Sequence, residues 1–242
     1  MKIRLALFAV LTALVLSRCS DDESPYECTS CVDSPEALAA NDASGKGIYK
    51  GLVIGSSGQI YLDIDNDGLG EIIMTLTIDG QTIELTTEAT YNPDVGFQGV
   101  FYGTMNTAND VEISFWSSAD GSEYGIVYAE IPGHDNVSIE LVKELSTALV
   151  KVFEGTFSGD SEGTLNLILV DDEWYALARP TDGTSDGVTS CEGDIEGNIL
   201  VSDCTDIQIS GTISGDNISG QWTSQGTTGT TEAGTWKAKR TL

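Results

Sequence analysis

The stretch Ile209–Trp222, ISGTISGDNISGQW, decides the fold. Apolar and polar residues alternate from Ile207 to Ile213 and again from Ile218 to Trp222, the period of an extended chain with one face buried. Between the two runs stand Asp216 and Asn217, residues that tolerate the positive φ of a two-residue hairpin turn. Gly211 lies inside the first run, where glycine marks a bend or a close backbone approach.

The same grammar extends outward in both directions. Gln59–Ile64, Ile72–Ile78, Val111–Trp116, Gly125–Ile131 and Leu165–Val170 alternate in the same way. They are separated by Gly55–Gly58, Asp79-Gly80, Asp120-Gly121 and Gly197-Asn198, all turn formers. A short motif recurs: a large apolar residue, any residue, Gly, three residues, Gly. It begins at Tyr49, Phe97, Phe153 and Ile209, with its glycines at Gly51 and Gly55, Gly99 and Gly103, Gly155 and Gly159, and Gly211 and Gly215. The first Gly is expected inside a strand and the second at the turn that ends it. These strands predict an all-β, antiparallel barrel or sandwich built from two similar meander halves, residues 47–146 and 147–242. The short connection near Leu145 favours one shared barrel over two independent domains. Ser138–Val150 stays open between a strand and a helix carrying Ile139, Val142, Leu145 and Leu149 on one face.

Composition agrees. The 27 glycines beside 5 prolines suit many tight turns, and 40% hydrophobic residues suffice for a core. Three of the 11 Lys and Arg and none of the 38 acids precede Cys19, which leaves 8 against 38 from there on, a formal −30. Such a surface repels phosphate, so nucleic acid is excluded as a partner.

Residues 1–18 read as a signal peptide: Lys2 and Arg4 followed by an apolar run, Leu5–Leu16, too short to span a bilayer. Leu16-Ser17-Arg18-Cys19 resembles the lipobox of bacterial lipoproteins, with Arg18 where that pattern has a small residue. Ser20-Asp21-Asp22-Glu23 is similar to the acidic sorting signal of surface lipoproteins in the Bacteroidetes. Gly47–Gly58, Phe153–Asp160, Ile209–Trp222 and Gly234–Lys237 look like the hairpins of lipoproteins of unknown function from the same group. The resemblance implies a lipid on Cys19, the membrane as partner and a place on the outer-membrane surface. Residues 19–46 would then be the lipidated N-terminus and a polar tether, with a short helix allowed at Pro35–Ala40.

Four cysteines remain, Cys28, Cys31, Cys191 and Cys204, an even number that suits disulfides in an exported protein. A zinc site is the other reading. Cys191 and Cys204 flank the expected hairpin Gly193–Ser202 at similar distances from its centre near Gly197, so they can pair. Cys28 and Cys31 then pair locally or stay reactive.

The sharpest chemical pattern is Asp63, Asp65, Asp67, Gly68 and Glu71. Alternating carboxylates around a sharp turn can wrap a calcium ion. Strands flank the pattern and Met74 stands at the twelfth position, so it resembles the calcium hairpin of FG-GAP repeats rather than an EF-hand. That resemblance implies Asp63, Asp65, Asp67 and Glu71 as ligands, with the Leu69 carbonyl. The alternative is an acidic hairpin turn.

Gly159-Asp160-Ser161-Glu162-Gly163 matches the G-x-S-x-G nucleophile pattern, but a strand rather than a helix should follow it. His134 is the chain's single histidine and sits in a loop segment. Trp116, Trp174, Trp222 and Trp236 fit core or sheet-face packing, or a sugar-stacking platform. The reading that follows is a non-catalytic surface module that binds an extracellular ligand or protein or is structural. The alternative is a hydrolase acting on polysaccharide through paired carboxylates.

Overall fold

The computed structural model describes residues 26–55, 57–105, 109–181, 187–225 and 230–242. The leader, Cys19 and the acidic stretch after it lie outside the described residues. One 3-10 turn, Ala39–Asn41, stands in place of the short helix allowed at Pro35–Ala40.

The first half forms β1 Gly47–Ile54, β2 Gly58–Ile64, β3 Ile72–Ile78, β4 Gln81–Thr86, β5 Phe97–Met105, β6 Asn109–Ser117, β7 Tyr124–Glu130 and β8 Ser138–Lys143. They pair antiparallel in chain order from β1 to β7, and β8 adds to the free edge of β1. The ladder stays open between β7 and β8, so this barrel is nearly closed. The second half forms β9 Lys151–Gly159, β10 Gly163–Val170, β11 Glu173–Pro180, β12 Thr189–Glu196, β13 Ile199–Ser202, β14 Ile207–Ser214, β15 Asn217–Gln225 and β16 Thr231–Arg240. Here β16 pairs with β9 and the barrel is closed.

The all-β, antiparallel class and the two meanders therefore stand, but the halves do not share one barrel. Eight strands already enclose a lumen that side chains can fill, whereas sixteen would enclose a channel. Alternate residues point inward. Ile60, Leu62, Ile64, Phe101 and Phe115 belong to one apolar core, and Leu165, Leu167, Trp174 and Trp222 to the other.

The barrels meet where β1 and β10 lie back to back. All eight residues of β1 are buried, because Tyr49 and Val53 face their own barrel while Leu52 packs against Val150, Val152 and Ile168. A strand buried on both faces reads as a continuous apolar run. From β10, the Asn166 amide crosses the junction and donates to the Val53 carbonyl at 2.9 Å. Burying each of the four aliphatic residues contributes roughly 1.5–3 kcal/mol.

The open choice at Ser138–Val150 resolves as strand over Ser138–Lys143, followed by a turn closed by the Leu145–Ala148 bridge. Leu141 turns inward and Val142 joins the junction, so both faces of β8 are used, while Leu145 is exposed. Two turn readings shift. Asn217 already pairs with Ser214, so that hairpin turns at Gly215-Asp216, one residue early, with Gly215 at φ 60°. Gly103 lies within β5 instead of ending it: Ile83 and Leu85 occupy the space a Cβ would need.

Candidate functional site

Asp63 is the last residue but one of β2, paired with Ile73, and Asp65, Asp67, Leu69 and Glu71 follow Ile64 on the loop to β3. Asp65, Gly68 and Gly70 take positive φ, which winds the loop tightly. Each aspartate then accepts from a loop amide: Asp63 from Asn66 N–H at 2.8 Å, Asp65 from Gly70 N–H at 2.6 Å, Asp67 from Leu69 N–H at 2.8 Å. The other oxygen of Asp65 holds the Lys46 ammonium. That hydrogen bond keeps the Asp65 carboxyl below its usual range, whereas burial, then the charges of Asp67, Glu71 and Asp65, pushes Asp63 up. Among the described residues, no three His, Cys, Asp or Glu side chains converge as metal ligands. As folded, Lys46 is the cation beside them.

The loop instead grips the N-terminal segment. Asn66 accepts from Leu38 N–H and Asn41 Nδ2 and donates to the Glu36 carbonyl. Further back, Tyr26 donates to the Arg240 carbonyl at 2.8 Å, and Cys28 N–H donates to Asp216 at 2.8 Å. Residues 26–46 thus form a strap across both barrels. Its centre is a buried ion cluster: Lys50 and Glu144 are both sealed from solvent with Nζ and Oε2 2.7 Å apart, and Glu36 stands 2.9 Å from the same ammonium.

Both disulfides are closed. Cys191 bonds Cys204, tying β12 to the chain just after β13, and Cys28 bonds Cys31 within the strap. Gly159–Gly163 is the β9–β10 hairpin, strand to strand, without the elbow that a nucleophile needs. His134 lies on the first barrel, 3.6 Å from Asp79, while Ser161 borders the second barrel's mouth. The two are not a catalytic pair.

Two concave surfaces border the closed barrel among the described residues. A cleft of about 540 Å³ lies between the barrels, lined by Leu52, Glu140, Tyr175, the Cys191–Cys204 bridge, Glu192 and Asp206. Desolvation pushes the Glu140 carboxyl up. Tyr175 donates to Glu173 at 2.7 Å, and that bond, with desolvation, pushes the phenol up to about 12. The second surface is an apolar cup of about 250 Å³ at the β9–β10 end of the closed barrel, walled by Phe157, Trp222 and Trp236.

Trp174, Trp222 and Trp236 are all buried in that barrel, as core packing predicts. Each indole N–H donates to a wall carbonyl: Trp174 to Val201 at 3.1 Å, Trp222 to Ser158 at 3.3 Å, Trp236 to Ser210 and Gln221 at 3.2 Å. Each ring also lies against an inward glycine. A Cβ on Gly193, Gly234 or Gly211 would fall 2.5–2.9 Å from Trp174, Trp222 or Trp236 respectively.

No family model, curated protein or solved structure matches the chain. Sequence reasoning missed the buried Lys50–Glu144 pair, although Lys50 interrupts the apolar run Ile48–Ile54 and so needs a partner. The cup had no such signal, because it depends on which glycine faces which indole.

Proposed function

We propose that this chain is a non-catalytic binding module of the bacterial cell surface, held on the outer membrane by a lipid on Cys19. The observation that carries it is the strap. Residues 26–46 lie fastened across both barrels, and Tyr26, only seven residues beyond Cys19, is already hydrogen-bonded to the body. Residues 26–46 are bonded to the body and so are not the free tether expected of them; a lipid on Cys19 would hold the body close to the membrane. The signal-like leader and the acidic residues after Cys19 support the same reading. Both barrel cores are apolar and packed, which leaves ligand binding to the barrel ends and to the cleft. Replacing Cys19 by Ala should abolish palmitate labelling and move the protein out of the membrane fraction; labelling that persists would remove the anchor.

The polysaccharide hydrolase has one observation in its favour: Glu140, its carboxyl pushed up, in a cleft that also holds Glu192 and Asp206. In that reading Glu140 is the general acid. Loss of polysaccharide cleavage in Glu140→Gln, with the fold intact, would support it over the binding module. At the Asp63 loop, calcium is a competition: the ion has to take Asp65 from Lys46.

A further inference from the structure

The closed barrel is filled at one end and hollow at the other. Eight strands enclose just enough room for side chains or for one small ligand. Toward the β10–β11 turn, Leu200 and Ile218 seal the lumen, both at most 1% exposed, with Trp174 fully buried beside them. Toward the β9–β10 turn, Trp222 and Trp236 would seal it equally well if they reached the axis. They lie along the wall instead. Gly234 and Gly211 provide the recesses in which the rings rest, and the wall carbonyls of Ser158, Ser210 and Gln221 hold their N–H groups. Phe157 stands edge-on to Trp222, with ring centroids 5.8 Å apart. Ala178, inward on β11, adds only a methyl group. Among the described residues no side chain is seen to fill the axis there, and the 250 Å³ cup results.

From this geometry we infer that the cup is a binding site for a small apolar molecule of about two fused rings, neutral or positively charged. This rests on the binding-module reading and supplies its ligand class. Size follows from volume: an apolar cavity of about 150 Å³ accommodates benzene, so 250 Å³ accommodates a bicyclic. Polarity follows from the indoles, which have spent their N–H donors on the wall and offer the ligand only their faces and edges. Charge follows from the rim, where Asp206 and Glu232 stand at the mouth of a chain of formal charge −27. Indole faces also attract cations, whereas a carboxylate would meet both the rim acids and the unfavourable field of the whole chain.

Three probes of one shape separate these contributions: 1-naphthylmethylammonium, 1-naphthalenemethanol and 1-naphthoate, titrated into the intact protein by calorimetry. The ammonium should bind most tightly, the alcohol more weakly, and the carboxylate at least tenfold more weakly than the ammonium. Ala178→Phe fills the cup from its floor, and Ser224→Phe closes it from the half-exposed rim, where folding is not at stake. Each should lower ammonium affinity at least tenfold, while Thr223→Phe, on the outer wall, should leave it unchanged. No saturable binding of the ammonium or alcohol, or binding that survives both blocking variants, overturns the site; equal binding of the naphthoate overturns its charge preference. Palmitate labelling at Cys19 is scored separately, so loss of the ligand site and loss of the anchor give different results.

Discussion

Replacing Glu144 by Gln keeps the shape of a side chain that is only 1% exposed and changes what its head can accept. Both carboxylate oxygens are loaded. Oε1 accepts from Glu36 N–H at 2.6 Å and Ala37 N–H at 3.3 Å, and Oε2 from Lys50 Nζ at 2.7 Å and Val150 N–H at 3.0 Å. An amide, turned either way, points its NH₂ at two donors. Breaking one side of a buried ion pair costs about 3–5 kcal/mol. Lys50 keeps Glu36 at 2.9 Å, so the lower end, about 3 kcal/mol, is expected. Lys50→Met should cost less, about 1–2 kcal/mol, because three backbone N–H groups still hold the Glu144 carboxylate. In thermal unfolding followed by circular dichroism, Glu144→Gln should lower the melting temperature by about 6–12 °C. Limited proteolysis should find new cuts within residues 26–46, since the strap loses two of its hydrogen bonds. A Glu144→Gln protein within about 0.5 kcal/mol of the parent, or a Lys50→Met protein that is the less stable of the two, would refute the reasoning.

Lys46→Met should increase the calcium-specific gain in melting temperature, measured against sodium at matched ionic strength; a cation at 100 times its dissociation constant adds about 2.7 kcal/mol. Equal responses in this variant and in Asp65→Ala with Asp67→Ala would reduce the loop to an acidic turn. Asp63 takes up a proton more readily folded than unfolded, so its charge opposes the fold at neutral pH and that opposition fades as pH falls through its folded pKa. Asp63→Asn should therefore stabilise at pH 7, with a gain that shrinks on acidification in urea titrations; a gain that grows instead would contradict the assignment. Replacing Cys191 and Cys204 together by Ser opens a loop of sequence separation 13 and should cost about 3 kcal/mol. Urea unfolding read by tryptophan fluorescence checks this, and a loss below 1 kcal/mol would count against it.

Much of the strand order was legible because it is written in local alternation. Ile209 pairs with Trp222 and Ile213 with Ile218; the turn one residue early shifts every partner by two positions, which leaves the same residues facing inward. Closure was not legible. Whether β16 returns to β9 or continues into a larger sheet depends on pairing between the ends of a half, which no local pattern records. Ser138–Val150 misled for a related reason: Leu141 is buried on one face and Val142 half-buried on the other, so the alternation that marks a half-exposed strand is lost. The partnership of Lys50 with Glu144 spans 94 positions and becomes visible only once β1 lies beside the chain that leaves β8. The acidic loop was found by its spacing, but Lys46, the cation it holds, lies outside the motif.

The strap has a directional consequence. Tyr26 is fastened where β16 ends, at Arg240, and Asn217, which opens β15 beside it, donates to the Tyr26 carbonyl at 2.9 Å. Covalent geometry allows the seven residues from Cys19 to Tyr26 a reach of about 25 Å at most. The ten residues of β16 carry the wall roughly 30 Å further, to the opposite rim. With a lipid on Cys19 the molecule acquires a root and a crown: the sealed end stands over the headgroups, and the hollow end opens to the medium. On the proposed surface anchoring, whatever enters the cup would arrive from outside the cell without first partitioning into the bilayer.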